Sequence, residues 1–426
     1  MLTFSWPRCA RPLLLMLATS AAIAEPVPLT LDAAVRAAQA HSQALVASQA
    51  VAQSARELAV AAAQLPDPVL RVSLDNVPLQ GQERLRTTAD PMTMHTLGVM
   101  QTFVRADKRQ ARSERLLREA EMAQAERVVR SAILQRETAV AWFERRALEL
   151  RVARLRDQLG EAQLQERSTE AAVRGQRALP AEWVAARDAQ AQVQQALLQT
   201  EADLLNARRT LARWTGVGPD APLAEAPPLS VAPRSLGALP ESLRHHPDVL
   251  QLDARERVAA AEAEVARRER EPDWSAELTY NKRGSAYGDM VSVAVSLPLP
   301  WDRPQRQDRE LAARLSRIDE LRAERDELAR ERLAETQRWA EAWRAGLAQL
   351  DLIDREREPL AHQRTELALV AYRGGRAPLS LVLEARRMAL QLQLERIAVE
   401  LETARLWARL EFQMPDAPVM VSAAKE

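Results

Sequence analysis

Short segments in each half of the chain alternate apolar and polar residues in the way that β-strands do. Every second residue is apolar in 274–280 and in 291–297, and the same alternation occurs in 70–74. A period of two gives each strand one apolar face and one polar face. The expected partner of 70–74 is 94–103, whose alternation is less regular. The pattern predicts two β-hairpins, one in each half.

Most of the remaining chain has the spacing of long amphipathic helices. Apolar residues step by four and three positions within 148–162 and within 390–408, which is typical of coiled-coil seams. No proline interrupts 107–173, and a helix of that length would span about 100 Å. Pro359 interrupts the corresponding helix of the second half, where we expect a kink. Since a glycine-containing turn and a returning helix follow each long helix, the sequence predicts two helical hairpins.

The two halves repeat one another. Ala141-Trp142 recurs as Ala342-Trp343, and the turn sequence Arg-Gly-Gln-Arg-Ala at 174–178 recurs as Arg-Gly-Gly-Arg-Ala at 373–377. Matches in the same order along the chain indicate a duplicated unit. Each unit is predicted to contain a helix, a β-hairpin and a long helical hairpin, which makes the fold mainly α with a small β part.

The first 24 residues are typical of a secretory signal peptide. Arg8 and Arg11 precede a short apolar stretch, 13–24, which ends in the small residues that a signal peptidase accepts. A retained N-terminal anchor is the alternative, although this stretch is shorter than the roughly 20 apolar residues of a membrane-spanning helix.

The chain is therefore expected to divide into nine segments. In order they are a signal peptide (1–24), a first-half N-terminal helix (25–66), a first β-hairpin (67–104), a first long helical hairpin (105–214), a Pro-rich linker (215–242), a second-half helix (243–272), a second β-hairpin (273–299), a second long helical hairpin (300–413) and a C-terminal tail (414–426).

Composition excludes several functional classes. The 59 basic residues balance 59 acidic residues, so the chain lacks the broad positive charge with which proteins bind nucleic acid. One cysteine excludes a disulfide framework and a zinc site built from cysteines. The sequence also lacks a Gly-rich phosphate loop, a His/Glu zinc helix motif and a nucleophile elbow. We therefore expect a protein that is not an enzyme and holds no cofactor.

The number of strands has a consequence if their apolar faces contact lipid. Strands of about ten residues are long enough to cross a bilayer at a tilt. Four strands cannot close a barrel, and an open sheet edge in lipid leaves backbone groups unsatisfied at several kcal/mol each. Several copies must then pool their strands, and three copies supply twelve strands and a tube of helices. The alternative is a soluble protein whose hairpins pack on its own helices.

The duplicated plan resembles the TolC-type outer-membrane efflux channels of Gram-negative bacteria over about 30–413. The stretches 64–68, 75–78, 92–94 and 98–101, followed by Lys108-Arg109, are similar to the heavy-metal branch, the cobalt–zinc–cadmium and copper–silver exporters. Cys9 precedes the apolar leader stretch instead of following it, so the N-terminus is expected to carry no lipid, unlike that of lipidated members.

The resemblance implies a homotrimer with a 12-stranded β-barrel in outer-membrane lipid and a periplasmic α-helical barrel as its large extension. It also implies a passive conduit that exports heavy-metal cations and docks onto a periplasmic adaptor protein and an inner-membrane pump. The alternatives are the same channel serving drug efflux or protein secretion, and a soluble periplasmic coiled-coil adaptor or scaffold.

Two sets of residues are candidates at the periplasmic tip that the resemblance implies. The adaptor-docking candidates lie in and after the repeated turns: Arg174, Gly175, Leu179, Arg373, Gly374, Gly375 and Leu379. The alternative is that the glycines only end helices, where they supply a positive φ. Glu384 falls at one of two family positions that line an acidic entrance constriction, while Leu381 occupies the other. Three copies of Glu384 near an axis would attract cations; the alternative is an ordinary solvated helix charge.

One cluster contains soft metal ligands. It comprises Met92, Met94, His95 and Met100, whose thioethers and imidazole suit Cu(I) and related ions. The alternative is that these residues lie in or beside a loop and bind no metal.

Overall fold

The computed structural model describes residues 28–238, 245–284 and 286–414. The predicted signal peptide lies outside these ranges, as do the end of the predicted linker (239–242) and almost all of the predicted C-terminal tail (415–426). The described chain is mainly helical with a small antiparallel sheet, as the sequence predicts. None of its helices is both long enough and apolar enough to cross a lipid bilayer.

The first half contains four helices and two strands. They are α1 (Leu31–His41), α2 (Gln43–Ala62), β1 (Val69–Asp75), β2 (Met94–Phe103), α3 (Ala106–Arg174) and α4 (Pro180–Thr215). The single helix expected within 25–66 is thus two helices. The break is at Ser42, whose backbone is extended and whose hydroxyl oxygen accepts a hydrogen bond from the Leu45 N–H at 3.4 Å. A side-chain acceptor of this kind starts a new helix, because it satisfies a free N–H of the first turn.

The second half repeats this order after a short 3-10 helix (Arg234–Ala238). Its elements are α5 (Pro247–Glu269), β3 (Trp274–Lys282), β4 (Met290–Ser296), α6 (Gln307–Leu352), α7 (Glu358–Arg373) and α8 (Leu379–Glu411). A π-helical turn, Ile353–Arg357, separates α6 from α7, and the Glu358 N–H bonds to the Ile353 carbonyl. Pro359 has no N–H with which to continue the regular α-helical hydrogen bonds. The interruption expected at this proline is therefore the wider, π-helical turn that precedes it.

The two hairpins pair with each other. The four strands form one antiparallel sheet in the order β1-β2-β3-β4. The pairing of β2 with β3 therefore joins the two halves, and β1 and β4 are the edge strands of the sheet. The register aligns the apolar residues of all four strands, as in the row Val72, Leu97, Tyr280 and Val291. This apolar face is exposed, with 74% of Val72 accessible.

The opposite face of the sheet is polar and internally hydrogen-bonded. Thr96 Oγ1 lies 2.8 Å from both Asp75 Oδ2 and Asn281 Oδ1. Asn281 Nδ2 donates to Ser292 Oγ at 3.3 Å. One chain of contacts thus crosses all four strands, and the sheet has the two unlike faces that the alternation predicts.

The predicted linker packs against the helices instead of spanning free space. The described part of this segment that follows α4, 216–238, is called the belt below. The indole N–H of Trp343 donates to the Leu229 carbonyl in the belt at 3.1 Å, and that of Trp407 donates to the Val231 carbonyl at 3.1 Å. In the first half, Trp142 makes the equivalent bond to Leu29 at 3.0 Å. These tryptophans belong to the largest apolar cluster of the described residues, so the core lies where the belt crosses the helices.

Candidate functional site

The two repeated turns lie at the end of the helices that is remote from the sheet. α3 begins three residues after β2 ends and runs for 69 residues, so its far end is about 100 Å from the sheet. In the second half, α6, the π-helical turn and α7 likewise run from β4 to the end remote from the sheet. The tip candidates of both halves therefore share one end of the molecule.

Both turns have the same hydrogen bonds. After α3, the Arg177 N–H donates to the Ala172 carbonyl at 2.8 Å; after α7, the Arg376 N–H donates to the Ala371 carbonyl at 2.9 Å. In each turn, the N–H bonds to the carbonyl of the residue five positions earlier, and the residue just before that N–H has a left-handed conformation. This combination defines a Schellman helix end. The repeated sequence thus encodes a repeated backbone conformation.

The glycines do not play the same part in the two turns. The left-handed residue is Gly375 in the second turn, with φ of 68°, but it is Gln176 in the first, with φ of 56°. Gly175 and Gly374 have negative φ values of −84° and −80°. Of these three tip glycines, Gly375 supplies the positive φ of a helix end, and Gly175 and Gly374 do not.

The two candidate leucines are also in different environments. Leu179 is 68% exposed, whereas Leu379 is 1% exposed and packs with Val382 and Ala385. The reason is the order of two residues, since the first turn ends in Leu179-Pro180 and the second in Pro378-Leu379. Leu179 consequently precedes its helix as the N-cap, while Leu379 is the first residue within its helix. Only the first turn presents its leucine on the surface.

The basic candidates and a tyrosine complete the tip. Arg174 is exposed and pairs with Glu170 at 2.6 Å along α3, and Arg373 is exposed at the end of α7. Burial raises the pKa of Tyr372, and the carboxylate of Glu182 on α4 adds to this shift. Glu182 belongs to the first helical hairpin and Tyr372 to the second, so this charge acts between the two hairpins at the tip.

Glu384 is exposed on α8, one helical turn beyond Leu381. It lines a groove of about 660 Å³ between α7 and α8, whose apolar walls include Leu367 and Met388. It also lines a second groove, of about 430 Å³, that α8 forms with α3 and α4. The carboxylate is thus available to solvent at the tip end of the second hairpin.

The soft-ligand candidates are not brought together. Met94 and Met100 lie on the polar face of β2, but they are six positions apart, which is about 20 Å along a strand. His95 lies on the opposite, apolar face, and Met92 is exposed in the loop before the strand. Nor do the described residues contain three or more His, Cys, Asp or Glu side chains placed to hold a metal ion.

A pair of cross-helix salt bridges was not anticipated from the sequence. Arg357 forms a two-point contact with Glu395 at 2.6 and 3.1 Å, and Arg396 forms one with Asp354 at 2.6 and 3.1 Å. The hydrogen-bonded guanidinium of Arg357 lowers the pKa of Glu395. These contacts join the π-helical turn to α8. In the sequence, only Pro359 pointed to this site, because it marks where the helix departs from regular spacing. The salt-bridged residues Asp354 and Arg357 lie in the π-helical turn just before it.

Known proteins resemble the chain in fold. Comparison with protein-family models and with curated protein sequences finds no match. Among solved structures, the outer membrane protein VceC of Vibrio cholerae has a TM-score of 0.72 at 21% identity, covering 90% of this chain and 95% of VceC. CusC, whose structures show conformational changes accompanying folding and transmembrane channel formation, has a TM-score of 0.74 at 14% identity. The match covers 91% of this chain and 92% of CusC. The MtrE outer membrane channel of Neisseria gonorrhoeae has a TM-score of 0.71 at 14% identity, covering 90% and 88%.

Proposed function

We propose that this chain, which has the fold of outer-membrane channels, is itself the outer-membrane channel of a tripartite efflux system. Three copies would combine their sheets into a 12-stranded β-barrel and their helices into a periplasmic α-helical barrel. The observation that carries the proposal is the sheet, which has an exposed apolar face, a polar face and two open edges.

The exposed apolar face needs a partner other than water. Val72 and Val293 are 74% and 73% exposed, and they lie in adjacent rows of one continuous apolar surface. Surfaces of this kind are covered by protein or by membrane. Lipid suits the face itself, but the edges β1 and β4 must then pair, because unsatisfied backbone groups in hydrocarbon are costly. Pairing β4 of one copy with β1 of the next closes the sheet and leaves its polar face around a water-filled interior.

The tip turns would dock onto the periplasmic adaptor, which connects the channel to an inner-membrane pump. Exposed Leu179 and the arginines Arg174 and Arg373 give the tip an apolar contact and positive charge. Three Glu384 carboxylates near the axis would favour cations at the entrance. We assign heavy-metal cations as the cargo, on the resemblance of 64–68, 92–94 and 98–101 to the metal branch and on the Glu384 carboxylate. The channel itself would be passive, with selection left to the pump.

Membrane fractionation tests the proposal. The full-length chain, expressed in a Gram-negative host, should be found in outer-membrane extracts as a trimer that resists mild heating. The purified trimer should form pores in planar bilayers. A soluble monomer that leaves liposomes intact would overturn the proposal and favour the scaffold alternative.

The cargo and the entrance need separate tests. Deletion of the gene should sensitise cells to metal salts more than to drugs, and the reverse result would favour drug efflux. Glu384→Gln should reduce the cation preference of the pores, with Glu366→Gln, an exposed carboxylate on the neighbouring α7, as the control. An unchanged preference would remove Glu384 from the entrance while leaving the channel itself in place.

A further inference from the structure

Two basic side chains face each other at the end of the sheet that is remote from the helices. His95 is the second residue of β2 and Lys282 is the last residue of β3, and the register pairs them directly. Both are exposed. Side chains opposite each other in an antiparallel pair have Cβ atoms about 5 Å apart, so an ammonium and an imidazole can reach one common acceptor.

This pair lies at one boundary of the apolar face. Leu97 and Tyr280 follow on the same face, and the face ends eight residues from His95 at Phe103, whose ring stacks on Trp274 at 4.2 Å. Eight residues extend about 26 Å along a strand, or about 20 Å across a membrane at a tilt near 40°. The distance is that of a lipid-facing band with an aromatic pair at one rim and a basic pair at the other.

The basic pair has no competing partner within the described ranges. Neither Lys282 nor His95 forms an ion pair or a side-chain hydrogen bond with another described residue. The nearby carboxylate of Asp289 accepts a hydrogen bond from the hydroxyl of Tyr280 instead. By contrast, Lys108, the other described lysine, is buried and paired with Asp273 at 3.1 Å.

We propose that Lys282 and His95 bind the phosphate of a phosphorylated lipid in the outer leaflet. This rests on the proposed function, which places the loop end of the sheet at the outer surface. Lysine binds phosphate as a point charge, and basic residues at a membrane boundary attract anionic headgroups. The apolar surface from Leu97 towards Phe103 accommodates the acyl chains below. Because the pair lies on the central strands β2 and β3, pairing of the sheet edges between copies leaves it open to lipid.

Native mass spectrometry of the full-length trimer in a nonionic detergent tests the site. The probes are diphosphorylated lipid A and its dephosphorylated analogue. The trimer should retain the phosphorylated lipid preferentially. Lys282→Gln should weaken retention about fivefold, as expected for loss of one basic residue near an anionic headgroup, and His95→Asn should weaken it less. Lys282→Arg should preserve retention. Arg330→Gln, an exposed change on α6 far from the sheet, should have no effect.

The outcomes separate the possible sources of failure. Equal retention of the two lipids, or unchanged retention in Lys282→Gln, would overturn the lipid site while the trimer itself stands. Displacement of lipid A by excess inorganic phosphate would show an anion site that does not require lipid, and would also overturn it. If no membrane trimer forms, the proposed function fails and the lipid site fails with it.

Discussion

The energetic cost of a left-handed backbone conformation can be tested in the two Schellman turns at the tip, by placing glycine in one turn and removing it from the other. Gln176 has a left-handed conformation with φ of 56°, and Gly375 occupies the equivalent position with φ of 68°. Gln176→Gly should stabilise the first turn, and Gly375→Gln should destabilise the second. The two turns share their sequence pattern and hydrogen bonds, so each serves as the control for the other.

The expected magnitude follows from the backbone alone. A side chain in the left-handed region costs roughly 1–2 kcal/mol relative to glycine, and the greater freedom of glycine in the unfolded chain offsets roughly 0.4–1 kcal/mol of this. A Cβ added at Gly375 meets no atom within 4 Å, so no steric clash adds to the cost. The net change is about 1 kcal/mol in each direction, or about fivefold in the opening equilibrium.

Hydrogen exchange at the turn amides measures this opening. The Arg177 N–H should exchange about fivefold more slowly in Gln176→Gly, and the Arg376 N–H about fivefold faster in Gly375→Gln. The other turn should be unchanged in each variant. If neither rate changes, or if both turns respond together, then contacts across the assembled tip control the opening and the backbone argument is wrong. In the proposed trimeric channel, Gly375→Gln should also weaken transport while trimers still assemble. Failed assembly would limit Gly375 to ending its helix.

Three further predictions concern the body of the protein, and each is measured by the thermal unfolding midpoint of the purified protein. Gly346→Ala places a Cβ against the Thr403 side chain and should destabilise the α6–α8 contact by about 1–3 kcal/mol. Gly160→Ala, in open space on α3, should instead stabilise the protein by up to about 1 kcal/mol, and equal shifts of the two variants would contradict the packing argument. Burial lowers the pKa of His246 below 6.5, so unfolding takes up a proton in acid and stability should be lost as the pH falls below 6.5; His246→Gln should lose less, and an identical pH profile would exclude this histidine. Trp343→Phe removes the indole donor to the belt and should lower stability by about 1 kcal/mol, with faster hydrogen exchange in the belt; unchanged exchange would show that packing alone holds it.

The sequence by itself determined the elements whose signal is local. Alternation along 274–280 defines an apolar face on a strand without reference to any neighbour, and the structure has β3 there. The uninterrupted 107–173 became the 69-residue α3 for the same reason, because helix formation depends on residues three and four positions apart. The tip turns were also found from sequence, since a helix end is decided within a few residues.

The tertiary structure alone decided which surfaces meet. The pairing of β2 with β3 joins residues about 180 positions apart in the chain, such as His95 and Lys282, and no local periodicity specifies that choice. The soft-ligand candidates are apart for a local reason, because strand alternation places His95 on the opposite face from Met94 and Met100, and the extended strand keeps Met94 about 20 Å from Met100.

At the tip, the opposite order of leucine and proline in the two turns leaves Leu379 buried in a small apolar cluster with Val382 and Ala385 and Leu179 on the surface. The belt packs against the helices, where tryptophans distant in sequence donate hydrogen bonds to its carbonyls. Local backbone preference sets which elements form. Their faces, partners and exposed contacts depend on burial between residues far apart in sequence, and only the folded chain brings those residues together.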